Sequence, residues 1–191
     1  RVKIGTKSVL AGAHCFFLHP WFVAWGWWKL YGFPLDPRLW LAFFVHDLGY
    51  IGRPNMDGPE GEEHVRFGAY VMKLFGMNWY WLCLLHSRYY AKKMGVSPSR
   101  LCAADKLAIA LTPWWLYLPM VRFTGEIREY KSVAKHRAEH GEWSEATWKD
   151  DRAWFRSLQD SMEAWAFENK ERCSGSSAQS AHHHRSESAR S

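Results

Sequence analysis

Glycine and proline cut the apolar text of this 191-residue chain into helix-sized pieces. No piece alternates polar with apolar residues over the length of a half-buried strand. Residues 9 to 31 form the first apolar stretch, with a kink expected at Pro20 and a stop at Gly32-Phe33-Pro34. Asp36-Pro37 then supplies an N-cap followed by proline at the first helical position, and the run through Trp40, Phe43, Phe44 and Val45 leads to His46-Asp47-Leu48-Gly49. Glu62 to Phe75 resumes the helical period and stops at Gly76. Asn78 can cap a helix from Trp79 to Met94, which Gly95 ends, and Ser97-Pro98 opens another that runs to about Leu111, before Pro113. The chain therefore reads as all-α.

A hydrophobic content of 48% is ample for one compact helical bundle, here taken as residues 1–172. From Arg122 to about Lys170 the text turns charged and amphipathic, with Trp148, Phe155, Leu158, Met162 and Trp165 at helical spacing. This is read as a C-terminal packing helix. Residues 173–191 hold almost no large apolar side chain and are expected to be a disordered tail, in which His182 to His184 are a short solvated tract. The run Trp114-Trp115-Leu116-Tyr117-Leu118 reads as core, with a pocket wall or an interfacial patch as its alternatives.

Cys15, Cys83, Cys102 and Cys173 form no CxxC pair, and three sit in apolar helical text, so the expected compartment is the reducing cytoplasm. The segment 9 to 33 is apolar but carries His14, His19 and Lys29, which favours a buried helix over a transmembrane segment. Lys and Arg are scattered, so the formal charge of +6 suits a small anionic substrate and predicts no specific nucleic-acid binding. Thirteen tryptophans suit a bulky apolar pocket or a homodimer contact.

Six ligand-type residues recur on or beside these helical segments: His19, His46, Asp47, His64, His86 and Asp105, spaced 27, 1, 17, 22 and 19 residues apart. Imidazole and carboxylate together suit one or two divalent transition metals, Mn, Fe, Zn, Co or Ni. Such an ion activates water and polarises a carbonyl or phosphoryl oxygen of a bound substrate. For an anionic substrate such as a phosphate ester, positive charge would come from Arg53, Arg88 or Lys106, with the arginines preferred for their bidentate fork.

The order of these residues, in the pieces HPWFVA, FFVHDLG, GEEH, LLHSR and AADKLA, resembles the HD-domain superfamily of metal-dependent phosphohydrolases. The resemblance covers about residues 10–112 and implies an HD-type helical bundle. It implies that His19, His46, Asp47 and Asp105 ligate one metal. His64 and His86 match the positions that bind a second metal in dinuclear members, with Asp47 as the bridge, and that serve substrate or proton transfer in single-metal members. Asp47, His64 and His86 are thus the expected catalytic group. His14, five residues from His19, is the alternative first histidine.

The expected activity is hydrolysis of a phosphomonoester or phosphodiester, of a nucleotide for example. A dinuclear-iron oxygenase of the same fold, acting on a small polar substrate, and a non-catalytic metal-binding module are the alternatives. The cyclic-dinucleotide phosphodiesterases of the superfamily carry an extended His-His-Glu and Gly-Tyr-Pro motif; the corresponding text here is GEEHVRFGAY, so that specificity is not expected. Glu62 and Glu63 read as helix-start acids, with support of His64 as the lesser reading. His136-Arg-Ala-Glu-His140 fits the HxxEH peptidase pattern, but its charged surroundings and Gly141 favour a solvated face.

Overall fold

The structure, a computed structural model, describes the backbone of residues 2–139 and 148–187, and their side chains except at 137, 138 and 174–187. Among the described residues it is all helical, with no strand. The helices are α1 (Ile4–Ala11), α2 (His19–Tyr31), α3 (Pro37–Val45), α4 (Pro59–Glu62), α5 (Val65–Met72), α6 (Met77–Leu84), α7 (Arg88–Lys93), α8 (Arg100–Leu111), α9 (Trp114–Thr124), α10 (Glu126–Glu139) and α11 (Asp151–Glu187). Short 3-10 turns follow α3 and α5.

The sequence punctuation holds at α3, where Asp36 accepts the Arg38 backbone N–H and Pro37 occupies the first turn. It fails at Pro20. That residue opens α2 instead of kinking a longer helix, because a missing N–H costs nothing in the first turn. Among the described residues, the stretch from Arg122 read as one C-terminal helix covers the end of α9 and then α10 and α11. The backbone of α11 continues past Cys173 to Glu187, into the stretch whose composition suggested disorder.

α8 is the centre of the bundle, packed between α2 and α11. Leu101, Cys102, Ala103, Ala104, Leu107 and Ala108 bury it almost all round, and the small residues let α2 come close. A Cβ on Gly26 would stand 2.6 Å from the Ala104 carbonyl oxygen, so α2 can cross there only on glycine. That crossing brings His19 at the start of α2 beside Asp105 on α8. Val23, Phe43, Val65, Met72 and Leu101 fill the main core between α2, α3, α5 and α8. A second cluster of Tyr117, Leu118, Val121, Trp154 and Phe155 joins α9 to α11. The helical phase that turns Tyr117 and Leu118 inward turns Trp114 and Trp115 outward, so only half of that aromatic run is core.

The four cysteines are buried and unpaired, as small hydrophobes. No helix among the described residues is long and apolar enough to cross a membrane. His140 and the side chains of residues 137, 138 and 182–184 lie outside the described residues, which leaves the HxxEH pattern and the histidine tract without structural content.

Candidate metal centre

The local sequence aims three of the histidines before tertiary packing does anything. His46 caps the C-terminus of α3, and its Nδ1 donates to the Phe43 carbonyl at 2.9 Å. His64, between α4 and α5, donates from Nδ1 to the Gly61 carbonyl at 2.7 Å. His86, in the break between α6 and α7, donates from Nδ1 to the Cys83 carbonyl at 2.5 Å. In each case the acceptor is the carbonyl three residues earlier. A carbonyl can only accept, so Nδ1 carries a proton, and Nε2 presents a lone pair whenever the ring is neutral, as it must be to bind metal.

Tertiary packing then brings these lone pairs onto carboxylate oxygens. His46 Nε2 stands 3.0 Å from Asp47 Oδ2, and His19 Nε2 stands 3.4 Å from that same oxygen and 3.0 Å from Asp105 Oδ1. On the other side of Asp47, Oδ1 lies 3.5 Å from His64 Nε2 and 3.4 Å from His86 Nε2. The two Nε2 atoms of His64 and His86 face one another at 3.1 Å. All six residues are buried. One donor atom from each of His19, His46, Asp47 and Asp105 falls within 4.8 Å of the others, as does one from each of Asp47, His64 and His86. Asp47 belongs to both groups, one oxygen turned to each.

These groups fit divalent metal ions. Lone pairs of neutral imidazoles and carboxylates cannot bond one another, and buried acceptors facing acceptors are costly unless a proton or a cation lies between them. His46 Nε2 and Asp47 Oδ2 are buried without any hydrogen-bond partner, which is the signature of atoms that serve a ligand. Backbone carbonyls hold the far nitrogens of His46, His64 and His86, the arrangement that orients imidazole for a metal.

The charge balance points the same way. Burial alone would raise the Asp47 and Asp105 carboxyls, but the cations around them, His46 beside Asp47 and Lys106 beside Asp105, hold both well below the usual range. Burial alone would lower the His46 imidazole; the two carboxylates outweigh it and lift it to about 10. His64 moves the other way, pushed well down by burial and by His86. At neutral pH the metal-free site therefore holds His46 as a cation in the place a metal would take. Metal binding must displace that proton and, below its own raised pKa, the proton that the same two carboxylates favour on His19, so the apparent affinity of the first group is expected to rise at least tenfold per pH unit up to about pH 10, then level off. Calorimetric titration in buffers of different ionisation heat measures the released proton. The metal-free fold has the opposite dependence. Because His46 is raised from 6.5, its stabilisation is complete below pH 6.5 and is lost as pH climbs through about 10.

Of the cations proposed for substrate, Lys106 reaches the ligand set, with Nζ 2.9 Å from Asp105 Oδ2. Arg53 turns its Nε to the Gly49 carbonyl at 3.2 Å, and Arg88 lies 5.4 Å over the Trp165 ring. Arg88 also acts through space on the Lys106 ammonium, which puts its charge near that edge of the site. His14 stands outside both ligand groups. Its Nδ1 meets Ser8 Oγ at 2.9 Å, and Ser8 donates at 2.6 Å to Glu126, a carboxylate with 0% exposure. Since the Ser8 proton goes to Glu126, His14 is the donor to Ser8. Thr124, Tyr130 and the Ala13 backbone N–H also donate to Glu126, which ties the end of α1 to the α9–α10 corner.

Sequence reasoning passed over Glu126, because an acid following Gly125 at a helix start looks like an ordinary surface residue. It also passed over Tyr50, whose ring stacks on His64 at 3.8 Å and 9°. The adjacency of Tyr50 to HDLG was the available signal. Glu62 accepts from Ser87 Oγ at 2.9 Å, tying the His64 segment to the residue after His86, which is more than a helix-start role.

Gly49 marks the tightest approach in the site: a Cβ there would overlap the His64 carbonyl oxygen. Gly49→Ala is expected to destabilise the protein by about 1–3 kcal/mol and to displace His64 from Asp47. Chemical denaturation together with metal content would register both effects, and unchanged values for both would contradict this packing.

Comparison of the chain with protein-family models, with curated proteins and with solved structures gives no match. The likeness to the HD-domain superfamily therefore stands on an all-helical bundle and a buried His/Asp cluster fit to hold metal.

Proposed function

We propose that the chain is a metal-dependent phosphohydrolase that cleaves a phosphomonoester or phosphodiester, nucleotides included. The observation that carries this reading is the pair of ligand groups sharing Asp47, in which buried acceptor atoms oppose one another. Divalent transition metals bound there would polarise a phosphoryl oxygen and bring the pKa of water down toward neutrality.

His19, His46, Asp47 and Asp105 would hold the first ion, and Asp47, His64 and His86 the second. Lys106 stays cationic: burial pulls its pKa down, but the Asp105 carboxylate outweighs that and raises it. Its ammonium is therefore available to a non-bridging phosphoryl oxygen beside the centre. In the reaction, water adds to phosphorus, the ester P–O bond breaks, and the water proton passes to the leaving oxygen. Burial of the whole ligand set keeps bulk water from competing with the positioned one.

The test is release of inorganic phosphate by the protein loaded in turn with Mn, Fe, Zn, Co or Ni, across nucleotides, sugar phosphates and simple esters, with His46→Ala as the control. Turnover lost in that variant supports the proposal. A metal-loaded protein that releases phosphate from none of these substrates overturns it.

The two-sided use of Asp47 also favours a second reading, a dinuclear-iron oxygenase acting on a small polar substrate. Substrate-dependent oxygen consumption by the iron-loaded protein selects that branch. Full metal occupancy with neither turnover leaves a non-catalytic metal-binding module.

A further inference from the structure

We propose that the outward face of α2 seats this protein on an anionic lipid surface, its indoles at headgroup level and Lys29 meeting lipid phosphate. The inward face of α2 is spent on the core, through Val23, Ala24, Gly26 and Trp27. The outward face carries Trp21, Trp25 and Trp28 at the i, i+4, i+7 spacing of one helical stripe, exposed by 57%, 44% and 57%. Phe17 and Leu18 before the helix and Phe33 after it continue the exposed apolar surface. Trp28 and Phe33 meet edge-on at 5.9 Å. Scattered exposed apolar residues need no explanation, but a contiguous aromatic stripe marks an interaction surface.

Charge selects the occupant. Residues 1–56 hold six basic residues and two acids, Asp36 and Asp47. Asp47 is buried in the metal centre, and Asp36 is engaged by the Arg38 guanidinium at 2.7 Å. Lys29 projects from the stripe itself, 5.7 Å over the Trp25 ring. Residues 17–33, which form the face, thus offer indoles and one ammonium and contain no acid, the composition that sits at an anionic membrane interface. A second copy of this chain would press an equally acid-poor face against it, with nothing to answer Lys29. Since no described helix is long and apolar enough to cross a bilayer, α2 would lie in the interface plane.

The face also borders the metal centre. Phe17 packs edge-on against Phe16, and Trp21 against Phe44; Phe16 and Phe44 line a small cavity with His14, His19, His46 and Asp47. Docking would hold the centre close to the lipid surface.

The test is cosedimentation of the full chain with vesicles of mixed phosphatidylglycerol and phosphatidylcholine, against phosphatidylcholine alone. Wild type is expected to favour the anionic vesicles by about fivefold, and the triple variant Trp21→Ser, Trp25→Ser, Trp28→Ser to lose about tenfold in affinity at unchanged metal content. Lys29→Glu, a single exposed change that leaves the core untouched, is expected to weaken binding to anionic vesicles and keeps the question decidable if the triple variant misfolds. Absence of wild-type binding, or undiminished binding by the variants, overturns the proposal. So does a wild-type dimer that the triple variant dissolves while neither binds vesicles, which gives the face to a second copy. Phosphate release is not a readout here, so this result stands apart from the proposed activity.

Discussion

Asp47→Ala is expected to empty both ligand groups at once in protein loaded with metal at each of them. His64→Ala is expected to remove one ion and leave the other. The difference follows from geometry: Asp47 turns Oδ2 to His19 and His46 and Oδ1 to His64 and His86, whereas His64 belongs to one group. Elemental analysis of the purified variants measures it. If the phosphohydrolase reading holds, Asp47→Ala should also cost about 10³-fold or more in phosphate release, since loss of metal assistance removes several kcal/mol of transition-state stabilisation. Retention of both ions by Asp47→Ala would refute the shared-carboxylate arrangement.

Removal of metal is expected to lower the melting temperature by about 10 °C or more. Ions that bind only the native state, present at a thousandfold excess over Kd, contribute about 4 kcal/mol, and a domain of this size shifts by about 2–4 °C per kcal/mol. The loss stays short of unfolding, because the raised His46 can keep a proton against Asp47 in place of the metal, while the main core around Phe43 and Leu101 contains no ligand. Thermal melts with and without chelator, and after metal is restored, check this. A melting temperature indifferent to chelation would mean that the opposed lone pairs are satisfied some other way.

The helical content was legible because glycine and proline punctuate the chain, and the ligand set was legible because His and Asp fall one or two to a segment, on or beside the helices. The breaks that aim those ligands were harder to see. Apolar periodicity runs straight through Leu85 and His86, so a single helix from Trp79 to Met94 was the natural reading, whereas the chain stops α6 at Leu84 and restarts at Arg88. Periodicity reports which side faces the core and is silent about a local loss of hydrogen-bonded turns. The orientation of Arg53 was invisible for another reason: a flexible side chain in a loop goes to whichever carbonyl the fold leaves within reach, here that of Gly49. Glu126 was hidden by its type, since only long-range packing brings Ser8, 118 positions away, to its carboxylate.

The bond from each of three imidazoles to the carbonyl three residues before it makes the ligands self-contained parts. Four consecutive residues, Phe43 to His46, Gly61 to His64 and Cys83 to His86, set the tautomer through a local bond, and at His64 the stacked Tyr50 ring also fixes the plane. Assembly therefore has only to bring pre-aimed fragments to the right separation. The surrounding helices can change in length and angle while the direction of each donor nitrogen stays tied to its own four residues.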